Sequence, residues 1–392
     1  MPIDADALAR DAAAVVQVPS VTGDERAALE RLGEIAAELG LELRLDRHDP
    51  RALAGRPGHP GQEVPRAALY GLTVTVPGAG AGRRLCLNGH IDVVAPGTQP
   101  WKHGPWSGAI VDGRLHGRGA VDMKAAVVSA LHALAAAGPH ARCETVLMVV
   151  ASEEDGGLGT FAALERDARF DACLIPEPTG FDVVCAQAGA LTFSGEVGGR
   201  AAHAAVRLEG RSAIDAYLEV HAELAAHERR VNAQVTDPLM APLELPYPLS
   251  VGRLQSGAWS SSVPDRATFE GRVGVPIGQT LEAAADGLRA ALAGHPVELC
   301  FEGARFAPGR TDPADPFVAL VREAYSQATG HAARAVGVSY GADMRLFCER
   351  GIPCVMAGTR GLERAHAVDE QVRVQDLVKL AHAIAGVIGR FH

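Results

Sequence analysis

The chain alternates amphipathic helical segments with short apolar runs, and this alternation limits the folds that are open to it. Two helical patterns in the first half end at a glycine, 24–39 before Gly40 and 123–137 before Gly138. Apolar runs lie between them at 41–46, 69–76 and 84–89, and another follows at 145–152. Such alternation is typical of α/β layers. The sequence therefore predicts an α/β fold in which helices flank a mostly parallel sheet.

A second pattern begins after residue 186. Alternating strand patterns and two helical patterns follow one another there, at 190–199, 211–230, 248–254, 266–275, 280–293 and 297–303. The first pattern returns after about residue 306. Because one core rarely serves more than roughly 250 to 300 residues, we predict two domains: a discontinuous domain of residues 1–186 and 306–392, and an inserted α+β domain of residues 187–305.

Composition and charge exclude several classes of function. A net charge of −10 and a pI near 5.8 argue against binding nucleic acid, which requires clustered Lys and Arg. No apolar stretch approaches the roughly 18 residues of a membrane span, and the N-terminus lacks the pattern of an export signal. The seven cysteines are odd in number and form no CxxC pair. We therefore expect reduced thiols and a cytoplasmic protein.

A glycine-rich segment, VPGAGAGRR at 76–84, lies between two predicted strands. It lacks the Lys-Ser/Thr ending of a phosphate-binding loop, and no helical pattern follows it. Glycine-rich segments between apolar runs favour tight turns. We therefore predict a hairpin turn at this position.

Side chains that can bind metals recur where predicted strands end, which is where an α/β sheet places its binding crevice. They are His90, Asp92, Asp122, Glu153, Glu154, Glu177 and His366. Each alone has an ordinary explanation, such as a helix cap for Asp122 or a solvated turn for the Glu pair. The set as a whole indicates a metal site.

Imidazoles and carboxylates without thiolates suit a hydrolytic zinc, or a related divalent ion, that keeps an open position for water. One carboxylate can hold two ions about 3.5 to 4 Å apart, and Asp122 can fill that role. Adjacent residues leaving a strand point in different directions. Glu154 can therefore bind metal while Glu153 acts on the water.

Five motifs occur in this order: NGHIDVV, GRGAVDMKAA, SEEDGG, PEPTG and AHAVDE. Together they resemble the M20 metallopeptidase family, which includes acetylornithine deacetylases, succinyl-diaminopimelate desuccinylases, aminoacylases and carboxypeptidase G2-like enzymes. The resemblance spans nearly the whole chain. It implies a catalytic domain that holds two Zn²⁺, or Co²⁺ or Mn²⁺, per chain.

The resemblance also implies a role for each residue. One ion would be held by His90, Asp122 and Glu177, and the other by Asp122, Glu154 and His366. Asp92 would hydrogen-bond the imidazole of His90 and fix its tautomer. Glu153 would take a proton from a metal-bridging water and pass it to the leaving nitrogen. The Asp122–Met123 peptide bond would be cis.

The inserted domain resembles the lid and dimerisation domain of the family. His203, in GRAAHAA, stands where the family has a histidine that reaches the partner subunit's active site and stabilises the oxyanion; the alternative is an ordinary surface histidine. Arg272 lies on the polar face of a predicted strand and could bind a substrate carboxylate. The chain departs from the family pattern here: Ser261 stands near a common asparagine, and Arg272 falls about two positions early.

The sequence thus predicts a two-metal amidohydrolase that deacylates a small N-acyl amino acid, similar to acetylornithine deacetylase, and that forms a homodimer. A short peptide is the alternative substrate, for a metallo-dipeptidase or aminopeptidase, and a specialised deformylase is a third possibility. A different class also stays open, a binding protein that keeps the fold without metals. Metal analysis and a Glu153→Ala assay separate these classes.

Overall fold

The computed structural model of the protein describes residues 3–80 and 82–392. Its α-helices are α1 Ala5–Val16, α2 Arg26–Glu38, α3 Pro50–Leu53, α4 Lys124–Ala137, α5 Leu158–Arg166, α6 Ala213–Asn232, α7 Leu281–Ala291, α8 Pro316–Thr329, α9 Met344–Cys348 and α10 Val374–Arg390. Three 3₁₀ turns cover Gly138–His140, Ala204–Glu209 and Leu362–Arg364. Across the described ranges, no helix combines the length and apolar character that crossing a membrane requires.

The strands are short, as the apolar runs predict. They are β1 Glu42–His48, β2 Leu69–Val76, β3 Arg84–His90, β4 Ile110–Val111, β5 Arg114–His116, β6 Glu144–Val150, β7 Ala172–Ile175, β8 Val183–Gln187, β9 Gly189–Gly198, β10 Leu249–Ser256, β11 Arg266–Val275, β12 Val297–Cys300, β13 Arg305–Phe306, β14 Gly309–Arg310, β15 Ala335–Val338, β16 Cys354–Met356 and β17 Gln371–Arg373.

The chain divides into two compact units. The first contains residues up to 185 together with 310–336 and 342–392, and the second contains 186–309 and 337–341. The largest sheet has the order β1-β2-β6-β3-β7-β16-β8-β14, with β15 beside β8. The central strands β6, β3, β7 and β16 run parallel, whereas β1 and β2 are antiparallel additions at one edge. The α/β prediction is confirmed, with a parallel centre in a mixed sheet.

Helix α10 packs against the rest of the first unit through one apolar face. Most of its buried apolar side chains recur every three or four residues, namely Leu377, Leu380, Ala381, Ile384, Val387 and Ile388. This spacing makes one apolar stripe along the helix, which packs against α4 and α8. Burial of each large side chain contributes about 1.5 to 3 kcal/mol. The helices thereby hold the sheet that carries the candidate site.

The second unit contains an antiparallel sheet in the order β10-β11-β9-β12, with β13 also beside β9. Residues of β9 alternate between buried and more exposed positions along the whole strand. The buried face packs with α6 and α7 around Phe193, Phe269 and Leu288. This alternation is that of a sheet with one covered face and one polar face.

The predicted hairpin at 76–84 is wrong. Strand β6 lies between β2 and β3, so the two strands that flank the glycine-rich segment are not paired with each other. The segment instead lies against the residues that enter β6: the N–H of Ala79 donates to the carbonyl of Ala141 at 3.0 Å, and that of Gly80 to Arg142 at 2.7 Å. A Cβ at Gly78 would lie 2.6 Å from the main-chain nitrogen of Glu144. Glycine is therefore needed for close approach rather than for a tight turn.

A Gly78→Ala substitution tests this explanation. We expect it to lower the free energy of unfolding by about 1 to 3 kcal/mol, because an added methyl group must displace main-chain atoms of the strand. Gly389→Ala is the matched control, since a Cβ there meets no atom within 4 Å and the residue is helical; it should leave stability unchanged or raise it by up to about 1 kcal/mol. Urea unfolding of both variants measures the difference, and equal stabilities would contradict the close-contact explanation.

Candidate metal centre

Three adjacent parallel strands deliver candidate ligands to the same edge of the sheet. His90 is the last residue of β3, Glu153 and Glu154 follow β6, and Glu177 follows β7. Because parallel strands end at the same edge, residues far apart in sequence become neighbours there. Asp122 lies just before α4, and His366 follows the 3₁₀ turn Leu362–Arg364.

The first cluster contains His90, Asp122 and Glu177. The Nε2 atom of His90 lies 3.1 Å from Oδ1 of Asp122 and 3.6 Å from Oε1 of Glu177. The side chain of His90 is only 2% exposed and that of Glu177 only 7%. This half of the site is therefore closed to water on the histidine side.

The second cluster contains Asp122, Glu154 and His366. The Nε2 atom of His366 lies 3.2 Å from Oε1 of Glu154 and 3.5 Å from Oδ2 of Asp122. The two oxygens of Asp122 thus face different imidazoles. His366 is half exposed, at 50%. The Asp122–Met123 peptide bond is cis, as the family resemblance implies.

These separations fit divalent metal ions. With zinc–ligand bonds of about 2.0 to 2.1 Å, the ligand atoms of a tetrahedral site lie about 3.3 Å apart. The four separations between imidazole nitrogen and carboxylate oxygen are 3.1 to 3.6 Å, and all ligand atoms of a cluster lie within 4.8 Å of one another. The donor set of imidazole and carboxylate is also the one that hydrolytic zinc sites use. Both clusters can therefore hold an ion, with the carboxylate of Asp122 between them.

The carboxylates change the pKa of both imidazoles. Asp122 and Glu154 raise the pKa of His366 to about 10. Burial alone would lower the pKa of His90, but Asp122 and Glu177 outweigh it and raise that pKa well above its usual value. Each imidazole thus holds a proton firmly among these negative charges. A metal ion that binds there has to displace the proton.

Asp92 contacts the imidazole of His90 as predicted, but through its main-chain carbonyl and not through its carboxylate. The Nδ1 atom of His90 pairs with the main-chain carbonyl of Asp92 at 2.8 Å, whereas the carboxylate oxygen Oδ1 lies 3.7 Å away. The carboxylate instead accepts hydrogen bonds from the N–H groups of Glu153, at 3.2 Å, and Glu154, at 3.1 Å. Asp92 therefore contacts the imidazole through its main chain and fixes the acidic pair through its side chain.

Glu153 lies among buried charged groups. Its exposure is 8%. Burial, with further contributions from Asp343 and Glu177, raises the pKa of Glu153 well above its usual value, against the opposing effect of His90. A carboxylate with a raised pKa is a stronger base, which general base catalysis near neutral pH requires.

The other predicted site residues belong to the second unit. His203 is exposed, and its Nδ1 accepts a hydrogen bond from the N–H of Ala205 at 3.2 Å. Ser261 is brought next to it, because the N–H of Ala204 donates to the Ser261 carbonyl at 2.9 Å. Arg272 lies on the exposed face of β11, with its guanidinium 5.2 Å from the ring centre of Phe306.

Sequence reasoning assigned no role to two buried acids of the first unit, Glu370 and Asp343. Glu370 is 0% exposed and pairs with Arg118 at 2.6 Å. Asp343 is 1% exposed and lies 3.7 Å from Nη1 of Arg345. Glu370 is the last residue of the motif AHAVDE, which also contains His366, so the motif could have indicated a role for Glu370 near the site. For Asp343 the sequence around it, GADMR, offered no comparable signal.

The chain is similar to known proteins over most of its length. The model of a family described as peptidase family M20/M25/M40 matches residues 86–390. A succinyl-diaminopimelate desuccinylase of Methylorubrum populi is 31% identical over 403 residues, covering 96% of each chain. The aminopeptidase PepT of Bacillus cereus has a similar structure, with a TM-score of 0.73 at 20% identity, covering 99% of this chain and 98% of the other. A Bacillus subtilis protein described as a dinuclear metal binding peptidase from the M20 family has a TM-score of 0.62 at 17% identity, covering 98% of each chain.

The raised pKa of His366 predicts how metal affinity depends on pH. Because its imidazole stays protonated up to about pH 10, the apparent affinity of the ion at the second cluster should fall about tenfold for each pH unit between 8 and 6. Titration of metal-free protein with chelator-buffered Zn²⁺ at several pH values measures this slope. An affinity that is independent of pH over this range would contradict the proton displacement.

Proposed function

Because the chain belongs to peptidase family M20/M25/M40, we propose that it is a two-metal amidohydrolase that removes the acyl group from a small N-acyl amino acid, as an acetylornithine deacetylase does. The observation that carries the proposal is that Asp122 belongs to both clusters. The buried acid Glu153 lies close enough to His90, Glu154 and Glu177 to interact with their charges. Desuccinylases that match nearly the whole chain support a deacylase rather than another use of the fold.

In this proposal His90, Asp122 and Glu177 hold one ion, and Asp122, Glu154 and His366 hold the other. Zinc fits these ligands, and Co²⁺ or Mn²⁺ could replace it. The bound ions would polarise the substrate carbonyl and lower the pKa of the attacking water. Asp92 keeps the acidic pair in place through its hydrogen bonds to the N–H groups of Glu153 and Glu154.

Glu153 would move the proton. Its carboxylate takes a proton from the water as the carbon–oxygen bond forms, and gives it to the nitrogen as the carbon–nitrogen bond breaks. The products are the free carboxylate of the acyl group and the amine of the amino acid. A raised pKa suits both steps, because the same group must accept and then release a proton.

We assign the second unit to substrate binding and to association of two chains. Arg272 would bind the substrate carboxylate with its planar guanidinium, and Ser261 would contribute a hydrogen bond. His203 would stabilise the oxyanion in the partner subunit. The second unit carries several exposed apolar side chains that support dimerisation, among them Leu208 at 90%, Leu218 at 60% and Trp259 at 72%.

We also assign the protein to the cytoplasm. The seven cysteines are all free thiols, and five of them are buried. Cys86 and Cys354 flank Cys173 on neighbouring central strands without a disulfide. Free thiols in this number support a reducing compartment.

A panel of substrates tests the reaction. Metal-reconstituted protein should hydrolyse N-acetyl or N-succinyl amino acids faster than N-formyl amino acids and dipeptides, with release of the free amine as the measurement. Chelation should abolish the activity. Hydrolysis of dipeptides alone would replace the deacylase proposal by a dipeptidase, and full activity in metal-free protein would contradict a metal mechanism.

Substitution of the acidic pair separates base from ligand. Glu153→Ala should lower the turnover number by about 10² to 10⁴, the range that a general base contributes, and should retain both ions. Glu154→Ala should lose an ion. Metal content by atomic absorption, beside kcat, gives the two readouts. Equal metal loss in both variants would show that Glu153 is a ligand.

The role of His203 in the partner subunit predicts complementation. His203→Ala and Glu153→Ala should each retain little activity, whereas a mixed dimer contains one site with an intact Glu153 and an intact His203 of the partner subunit. Activity should therefore return in part after subunit exchange, which differently tagged chains can verify. If exchange occurs and no activity returns, or if the wild type is fully active as a monomer, His203 does not act across a dimer.

A further inference from the structure

A buried ion pair joins two segments that each carry a candidate metal ligand. Arg118 and Glu370 lie 2.6 Å apart, with side chains 2% and 0% exposed. Arg118 stands four residues before Asp122, and Glu370 stands four residues after His366. The N–H of Gly117 also donates to the carbonyl of Glu370 at 3.0 Å. The two segments are therefore linked by main chain and side chain together.

The carboxylate of Glu370 fixes the main chain at Asp122. Its Oε1 accepts the N–H groups of Val121, at 2.7 Å, and Asp122, at 3.2 Å. Its Oε2 accepts the N–H of Gly119, at 3.1 Å, in addition to Arg118. Hydrogen bonds to a buried carboxylate are among the stronger ones. Glu370 thus fixes the main-chain position from which the side chain of Asp122 extends.

Arg118 contacts His366, the candidate ligand in the other segment. Its Nη2 donates to the main-chain carbonyl of His366 at 3.1 Å, and its guanidinium lies 5.2 Å from the ring centre of Trp101. His366 has a φ of 61°, in the left-handed region that residues other than glycine rarely adopt. Such a conformation persists when surrounding contacts determine it, and the contact from Arg118 is one of these.

We propose that Arg118 and Glu370 are positioning residues for the metal centre, with different targets. Glu370 positions Asp122 and so serves both ions, whereas Arg118 positions His366 and so serves the ion at the second cluster. This inference rests on the ligand assignments of the proposed function. A pair that only stabilised the fold would affect both ions alike, because removal of one partner leaves the other charge buried and unpaired and destabilises the whole unit.

Two variants separate the targets. R118K keeps a positive charge beside Glu370 but cannot also donate to His366, so it should weaken the ion at the second cluster about 10- to 100-fold, the usual effect of losing a contact that orients a ligand. The other ion should change less than about threefold. E370Q replaces one of the two acceptor oxygens of the carboxylate by an NH₂ group, which would face main-chain N–H donors. It should therefore weaken the binding of both ions. Titration of metal-free protein with Co²⁺, followed by visible absorption, resolves the two binding steps.

A double-variant comparison identifies which ion is affected. In a H366A background, which retains the first cluster, R118K should cause no further loss of Co²⁺ affinity, because the imidazole that Arg118 positions through the main chain is already absent. E370Q should still weaken the remaining ion. Additive effects of R118K and H366A would overturn the proposal, as would equal weakening of both ions by R118K.

Asp11→Asn is the matched control. It removes the negative charge of the Asp11 carboxylate, which lies 2.8 Å from Nε2 of His132 and joins α1 to α4 in the same unit. Thermal unfolding in chelator should show a loss of stability with both Co²⁺ steps unchanged. If Asp11→Asn weakened Co²⁺ binding as R118K does, the effect would be one of general stability and the proposal would fail. Absence of two binding steps in the wild type would instead contradict the proposed two-metal function.

Discussion

The carboxylate of Asp122 lies between two imidazoles, and the rest of the site is arranged around it. Its oxygens lie 3.1 Å from the Nε2 atom of His90 and 3.5 Å from that of His366. Glu153, Glu154 and Glu177 add further negative charge at this edge of the sheet, which is unfavourable without cations or hydrogen-bond donors. The surrounding hydrogen bonds come from segments far apart in sequence. The fold thus brings distant parts of the chain together to support one bridging group.

Much of this arrangement could be predicted from the sequence. The helix predicted at 123–137 is found at Lys124–Ala137, and the strand predicted at 266–275 is found at those residues. Both are bounded by local signals that act within a few residues, such as a glycine or a change of hydrophobic period. The positions of His90, Glu154 and Glu177 could also be predicted, because a polar residue at the end of an apolar strand lies at the end of the sheet whatever the order of the strands.

Pairings between distant segments could not be predicted in this way. The hairpin prediction failed because β6, which separates β2 from β3, comes later in the chain than both. The same limit explains Arg118 and Glu370, which pair across 252 residues. It also explains the carboxylate of Asp92, which pairs with the N–H groups of Glu153 and Glu154, about 60 residues later in the chain. The roles of His203, Ser261 and Arg272 stay predictions, because they depend on substrate and on a second chain.

The two histidines differ in their access to water, at 2% and 50% exposure. Exchange of a metal ion begins when solvent or a competing ligand approaches one of its bonds. An ion bound through His90 would therefore be retained for long periods, while one bound through His366 would exchange with the surrounding pool. In the proposed two-metal centre, the first ion would be held tightly and the second would be the exchangeable one. Its catalytic capacity would then follow the supply of free metal through a single exchangeable position, which would make the enzyme responsive to metal availability.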